Sequence, residues 1–98
     1  MKELTLKNLD DFLRGTAFLG TGGGGNPYVG GLMLRQELEK GINCNLIKGS
    51  EVDDDALIIP IAVMGAPTVI VERLPNAKSC IKALRKMEEL MGKKATAL

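Results

Sequence analysis

The sequence contains no histidine and no tryptophan, and its only aromatic residues are Phe12, Phe18 and Tyr28. Without histidine, these 98 residues cannot form a Ser-His-Asp triad, a Cys-His pair or a histidine metal site. So few aromatic side chains leave little with which to stack nucleic-acid bases. The 13 basic and 12 acidic residues give a net charge of +1, which is not the basic balance of a nucleic-acid-binding domain. We therefore expect no nucleic-acid partner.

Cysteine and long apolar segments are also scarce. Cys44 and Cys80 are far apart and form no CxxC unit, which disfavours a zinc site or a disulfide framework. We expect both to be reduced, partly buried thiols. The N-terminus lacks the apolar segment of a signal peptide. The longest apolar run, residues 56–65, is about half the length that spans a bilayer. These absences predict a cytoplasmic protein with no membrane partner.

Three segments have helical spacing of apolar residues together with helix-ending signals. The predicted helices cover residues 9–19, 27–40 and 76–91. Asn8 and Asn76 stand in capping positions before the first and third, and Gly41 and Gly92 follow the second and third. The apolar face predicted for the second helix consists of Val29, Leu32, Met33 and Gln36.

Three further segments have the composition of strands. They are residues 43–48, 56–63 and 95–98, while 68–74 is ambiguous and is taken as a short helix. The second strand, the third main helix and the last strand would form a right-handed βαβ unit. The predicted fold is therefore α/β, a small, mostly parallel sheet with a βαβ unit, preceded by two helices joined by a glycine-rich loop. A length of 98 residues predicts one domain, and an end inside a strand suggests the N-terminal piece of a longer protein.

Glycine is concentrated in one place, since seven of the 12 glycines lie between Gly20 and Gly31. Ordering so many glycines costs backbone entropy. Such a loop therefore usually has a function that larger side chains would block, such as close approach to a ligand. Its backbone N–H groups and the following helix N-terminus at Asn26-Pro27 would form a pocket for an anion or oxyanion. A flexible connection and a tight crossing of two backbones are the alternatives. A nucleotide fingerprint is disfavoured because these glycines follow a helix and no lysine follows Gly25.

A second small-residue loop, residues 64–67, follows the predicted buried strand. Ligands collect at the carboxyl ends of strands in α/β sheets, although a plain strand-to-helix turn is an equal alternative. The predicted ligand-binding residues are Thr21, Gly22, Gly23, Gly24, Gly25, Asn26, Gly65 and Ala66. Tyr28 and Glu72 are the acid–base candidates. Plain packing for Tyr28 and a surface carboxylate beside Arg73 for Glu72 remain open. Asp53-Asp54-Asp55 is expected to be a solvated turn, so no metal site is predicted.

Residues 18–28, FLGTGGGGNPY, resemble the opening signature of the S-methyl thiohydantoin desulfurase family, which is linked with hydantoinase and oxoprolinase systems. Residues 60–67, PIAVMGAP, and the later segments at 72–75 and 95–97 are similar to that family as well. Its members are considerably longer, so the resemblance implies that this chain corresponds to their N-terminal domain. The family often has aspartate where this chain has Asn26. Both residues cap helices, but only aspartate carries a charge.

The resemblance implies one half of a cytoplasmic enzyme that acts on hydantoin- or thiohydantoin-like cyclic amides, as a desulfurase or hydrolase. The resemblance implies no particular cofactor. Water would add to a ring carbon and a thiol would leave, with donors of the glycine loop stabilising the intermediate. The 98 residues alone are expected to be inactive. The alternative is a non-catalytic small-molecule-binding or assembly module that pairs with another chain. The expected partners are a small ligand and either a second copy or a C-terminal domain.

Overall fold

The computed structural model describes residues 1–65 and 76–98, together with Thr68, Glu72 and Leu74. These residues divide into two units, Met1–Glu51 and Val52–Leu98. The elements of the first unit are β1 (Lys2–Leu4), α1 (Leu9–Leu19), α2 (Tyr28–Glu39), β2 (Cys44–Leu46) and a 3₁₀ turn (Gly49–Glu51). In the described part of the second unit, the helix α3 spans Ala77–Met91.

The sheet of the first unit joins its two ends. Strands β1 and β2 pair antiparallel, with Lys2 opposite Leu46 and Leu4 opposite Cys44. Glu51 adds to this closure, because its carboxylate accepts hydrogen bonds from the N-terminal amino group at 2.6 Å and the Lys48 backbone N–H at 2.7 Å. These two donors lower the pKa of Glu51, the backbone bond contributing most.

Asn8 sets the turn between β1 and α1. Its side-chain oxygen accepts from the Thr5 backbone N–H at 2.8 Å, and its Nδ2 donates to the Glu3 carbonyl at 3.0 Å. It therefore holds the entry of the chain rather than capping the helix by its side chain. This turn leads directly into Leu9, which is fully buried, as Leu4 nearly is. The two leucines are the buried apolar side chains of the first unit.

Helix α2 ends as its sequence predicts. The Gly41 N–H bonds the Leu38 carbonyl at 3.0 Å, and the Ile42 N–H bonds the Glu37 carbonyl at 3.2 Å. This pair of bonds is a Schellman motif, which requires a left-handed residue after the helix. Gly41 supplies it with a φ of 86°.

Helix α3 is also confirmed with both of its signals. The Asn76 side chain accepts from the Lys78 backbone N–H at 3.0 Å, and Gly92 follows the helix with a φ of 72°. Inside the last turns, the Glu88 carboxylate accepts from the Ala95 backbone N–H at 2.9 Å and from Arg85 Nη1 at 2.8 Å. The pKa of Glu88 is lowered by these contacts, chiefly by the Ala95 bond.

The predicted mostly parallel sheet with a βαβ unit is wrong. Within the described residues, the sheet has two strands, and both belong to the first unit. Residues 56–63 and 95–98 make one parallel bridge, between Ile58 and Ala97. The pairing consists of two backbone hydrogen bonds, from the Ile59 N–H to the Ala97 carbonyl at 3.2 Å and from the Thr96 N–H to the Leu57 carbonyl at 2.8 Å. The predicted helix at 68–74 lies mostly outside the described residues.

Two simpler expectations concern side-chain burial and membrane spans. Cys44 and Cys80 are both free and half-buried, as expected of structural thiols. In the described residues, no helix combines the length and the apolar character needed to cross a bilayer.

Candidate functional site

The loop between α1 and α2 requires glycine at several positions for reasons within its own backbone. Gly22 and Gly25 have φ values of 84° and 90°, in the left-handed region that side chains disfavour. A β-carbon at Gly24 would lie 2.8 Å from the Cα of Gly20, and one at Gly20 would lie 2.8 Å from the Gly25 carbonyl oxygen. The loop therefore contains a close crossing of backbone, one of the two alternatives to a ligand pocket.

The backbone donors of this loop are partly used inside the loop. The Thr21 N–H bonds the Phe18 carbonyl at 3.3 Å, and the Gly23 N–H bonds the Gly20 carbonyl at 3.2 Å. For the N–H groups of Gly22, Gly24 and Gly25, the described residues offer no acceptor. Residues 21–25 are all exposed. These three N–H groups are therefore open to water or to another polar group.

A groove of about 300 Å³ lies between α1 and α2 and reaches the end of the glycine loop. Its polar lining residues are Asp10, Asn26, Tyr28 and Arg35. Its other lining residues are Leu13, Ala17, Pro27, Gly31 and Leu32. The volume is at the lower end of the range of small-molecule sites, about 300–1,000 Å³. The groove is thus a small depression, open to solvent, whose lining has both apolar and polar side chains.

Gly31 allows the two helices to meet beneath this groove. It is the buried residue of α2. A β-carbon in its place would lie 2.5 Å from Leu13 Cδ1 and 2.9 Å from Leu13 Cδ2. Both distances are far below normal van der Waals contact, so a larger residue would require the Leu13 side chain to move.

An ion pair connects the helices at the groove. Arg35 Nη2 on α2 donates to Asp10 Oδ1 on α1 at 2.6 Å. The Arg35 side chain is 38% exposed and that of Asp10 is 74% exposed. Solvent screens such a pair, so its contribution to stability is at most about 1 kcal/mol.

Asn26 and Tyr28 form the end of the groove next to the glycine loop. The Asn26 side-chain oxygen accepts from the Tyr28 backbone N–H at 2.9 Å. This bond begins α2 and uses the oxygen of the amide, which leaves the Asn26 NH₂ group available. Tyr28 is 68% exposed, and its hydroxyl adds a group that can donate and accept hydrogen bonds.

Residues 7–98 match the family described as "S-Me-THD-like, N-terminal domain". The chain belongs to the S-Me-THD-like N-terminal domain family. The match includes the glycine loop and both groove helices, and it confirms the resemblance found in the sequence. Comparisons with curated proteins and with solved structures gave no significant match.

In this S-Me-THD-like domain, two of the predicted site residues, Asn26 and Tyr28, line the groove together. The loop residues 21–25 adjoin it but are not lining residues. Gly65 and Glu72 lie in the second unit, where both are exposed, and Ala66 lies outside the described residues. Of the residues described, none form a group of three or more Asp, Glu or Cys side chains able to hold a metal.

Asp10 and Arg35 line the groove of this S-Me-THD-like domain but were not among the predicted site residues. A usable signal was present, because Asp10, Leu13 and Ala17 share one face of α1 by their spacing. Tyr28, Gly31 and Arg35 share one face of α2 in the same way. Pairing these two faces across a helical hairpin would have brought the acid and the base together.

Proposed function

We propose that this chain is the ligand-cradling domain of an enzyme that acts on hydantoin- or thiohydantoin-like cyclic amides. Membership of the S-Me-THD-like family supports this substrate class. The single observation that carries the proposal is the groove between α1 and α2, which Asn26 and Tyr28 line at the end where the glycine loop joins α2.

The groove lining suits the chemistry of such a ring. A cyclic amide is flat, with apolar faces and with carbonyl and N–H groups along its edge. Leu13 and Leu32 offer apolar surface to the faces. The Asn26 NH₂ group and the Tyr28 hydroxyl offer hydrogen bonds to the edge. The small volume favours one ring with a short substituent over a larger cofactor.

The proposed reaction replaces a sulfur substituent on the ring by oxygen. A water oxygen bonds to the ring carbon of the C=N group, and the electron pair of that double bond moves to the ring nitrogen. One water proton goes to the ring nitrogen, the C–S bond then breaks, the carbonyl forms, and the thiol leaves with the other water proton. N–H donors of Gly22, Gly24 and Gly25 would stabilise the negative charge, and one such donor contributes about 3–4 kcal/mol in a well-formed site.

Tyr28 is the proposed proton donor or acceptor of this domain, because its side chain lines the groove. Glu72 is exposed in the second unit, and its acid–base role stays a prediction. We propose that further catalytic groups come from another domain, as the family's description as an N-terminal domain suggests. The 98 residues would then bind the ligand without turning it over.

Two asparagines near helix starts test this proposal: Asn76 is the N-cap of α3, whereas Asn26, predicted to cap α2, lies one residue before the N-cap Pro27. Asn26 and Asn76 each accept a hydrogen bond from the backbone N–H two residues on, at 2.9 and 3.0 Å. Each alanine variant should lose about 1 kcal/mol of stability. Asn26→Ala should also weaken the binding of S-methyl thiohydantoin, measured by calorimetry, by about fivefold or more. Asn76→Ala should leave the affinity unchanged, and equal affinities for both variants would contradict the proposed site.

A second candidate function, assembly with another chain, is favoured by the end of α1. Phe18 and Leu19 are 79% and 81% exposed there. Two large apolar side chains in sequence, both in water, are typical of an interaction surface. We propose self-association through this pair as the alternative to ligand binding.

A further inference from the structure

Helix α3 leaves most of its apolar face uncovered. Its apolar residues recur every three or four positions and so share one face of the helix: Cys80, Leu84, Met87 and Met91. None of the 15 residues of α3 is buried. Met87 and Met91 are 44% and 55% exposed, and the adjoining Leu90 is 70% exposed. Most of the stability of a protein helix comes from packing such a face, so α3 lacks the surface that would cover it.

The second unit has little apolar surface of its own to offer this helix. Among the described residues of Val52–Leu98, the buried apolar side chain is Ile59. The hydrogen bond from the Ala95 N–H to Glu88 ties the end of α3 to the chain that follows it. A unit of fewer than about 50 residues buries too small a fraction of its surface to form a full core. We therefore place the missing surface outside this unit.

The polar side of α3 is strongly basic. Lys78, Lys82 and Lys86 follow one another at intervals of four residues and form a row along the helix. Residues 77–94 contain six basic and two acidic side chains, a net charge of +4 in a chain whose total is +1. Lys86 pairs with Glu89 at 3.4 Å, but among the residues that the structure describes no carboxylate pairs with Lys78 or Lys82. The surface that complements α3 is therefore apolar, with acidic side chains along its edge.

This charge narrows the choice of occupant. A second copy of the chain is a poor complement, because two such helices would bring like charges together. A membrane surface could supply negative charge, but α3 has no aromatic side chain to anchor it at the lipid boundary. The family is described as an N-terminal domain, so its longer members continue into a further domain. A domain linked in the same chain has a high effective concentration at α3, so a modest interface is enough to hold it there.

We propose that the apolar face of α3 is the docking surface for the domain that follows this one in longer S-Me-THD-like proteins. Met87, Leu90 and Met91 pack against apolar side chains of that domain. Methionine suits this role because its unbranched side chain adapts to the shape of its partner. Lys78 and Lys82 meet acidic side chains at the edge of the interface and fix its orientation. The proposal goes beyond the proposed function, since it holds whatever the groove between α1 and α2 binds.

The test titrates the full 98-residue chain with the C-terminal domain of a longer S-Me-THD-like protein and measures the affinity by calorimetry. Met87→Ser removes an apolar side chain from the face. Met33→Ser is the matched control, because Met33 lies on α2 and is 37% exposed, close to the value for Met87. Met87→Ser should weaken binding roughly tenfold, as expected of a residue central to an interface, and Met33→Ser should leave the affinity unchanged.

A charge reversal tests the basic edge of the same surface. Lys82→Glu should weaken binding, and this loss should shrink as the salt concentration is raised, because ions screen charges at an exposed edge. Lys7→Glu is the control, since Lys7 is exposed in the first unit and the substitution changes the net charge by the same amount. The affinity of Lys7→Glu should match that of the unchanged chain at every salt concentration.

Oxidation of methionine by peroxide, measured by mass spectrometry, provides a readout on the unchanged chain. The bound domain should protect Met87 and Met91 from oxidation and leave Met33 as reactive as before. Thermal unfolding of the unbound chain provides the folding control. Met87→Ser and Met33→Ser should both change the unfolding temperature little, since both side chains are partly exposed.

The remaining outcomes separate this inference from the proposed function. Equal affinities of Met87→Ser and Met33→Ser, or no binding of the domain, overturn the inference and leave the ligand function standing. A large loss of stability in unbound Met87→Ser also overturns it, because the chain itself would then cover the face. Binding to vesicles of phosphatidylcholine and phosphatidylserine, lost in Met87→Ser and without binding to the domain, assigns the face to lipid instead. Docking that requires Met87, in a chain that binds no cyclic amide, contradicts the proposed function alone.

Discussion

Two adjacent glycines in α2, Gly30 and Gly31, differ in the space available for a side chain. No atom lies within 4 Å of a β-carbon built at Gly30, whereas one at Gly31 would collide with Leu13. Gly30→Ala should stabilise the chain by about 0.5–1 kcal/mol, because alanine favours the helix. Gly31→Ala should be less stable than Gly30→Ala, because the Leu13 side chain must leave its position to admit the methyl group. Urea denaturation of both variants measures the difference, and equal stabilities would show that Leu13 repacks without cost.

Glu88 should make the stability of the second unit depend on pH. Its pKa in the folded chain is lowered, first by the Ala95 N–H and then by Arg85. A group with a lowered folded pKa stabilises the fold above its unfolded pKa, near 4.3, and this stabilisation is lost as pH falls through the folded value. Glu88→Gln should therefore reduce stability at pH 7, and its difference from the unchanged chain should shrink below about pH 4.

The neighbouring Glu89 provides the control for this titration. Its side chain is 71% exposed and lies 3.4 Å from Lys86. Glu89→Gln should change the unfolding midpoint little at either pH, since exposed pairs contribute weakly. A pH-independent effect of Glu88→Gln would mean that the Ala95 and Arg85 contacts do not favour the charged carboxylate.

At the scale of elements, local signals predicted the helices well. Asn76, Gly41 and Gly92 act on their own backbone neighbourhood, so a single sequence contains what is needed to place them. The face of α2 could not be predicted in this way. Val29 and Met33, expected on the packed face, are 47% and 37% exposed, and the buried residue is Gly31. Glycine has no apolar side chain, so the hydrophobic pattern does not mark a glycine that is buried against a neighbouring helix.

The predicted strand 43–48 contains β2, whereas the strands predicted at 56–63 and 95–98 were wrong for a related reason. A run of apolar residues forms a buried strand only if partner strands pair with it. Strand pairing depends on the tertiary structure, which the periodicity of the sequence does not show. In residues 56–63, Ile59 is buried, but Val63 is 64% exposed and the pairing is one bridge. The same limit applied to the site: the sequence indicated Asn26 and Tyr28 through the loop, but Arg35 depends on a helix pair that brings Asp10 to it.

At the scale of the whole molecule, the exposed apolar side chains predict association. Replacing both Phe18 and Leu19 by serine removes the apolar pair at the end of α1. The unchanged chain should dimerise at ~100 µM, a concentration at which exposed apolar surface associates, and the double variant should not. Met64→Ser is the control, since Met64 is 95% exposed in the second unit. Sedimentation velocity measures all three, and a monomeric unchanged chain would contradict assembly as the alternative function.

The central claim is that a cyclic amide binds in the groove between α1 and α2. Nitrogen–proton NMR spectra of the full chain, titrated with S-methyl thiohydantoin, test it most directly. We expect saturable shifts at Asn26, Tyr28, Gly31 and the Arg35 side chain, together with Gly24 and Gly25. Resonances of α3 should not move in the same titration. Saturable binding that shifts α3 and leaves the groove resonances unchanged, or no binding at all, would contradict the account.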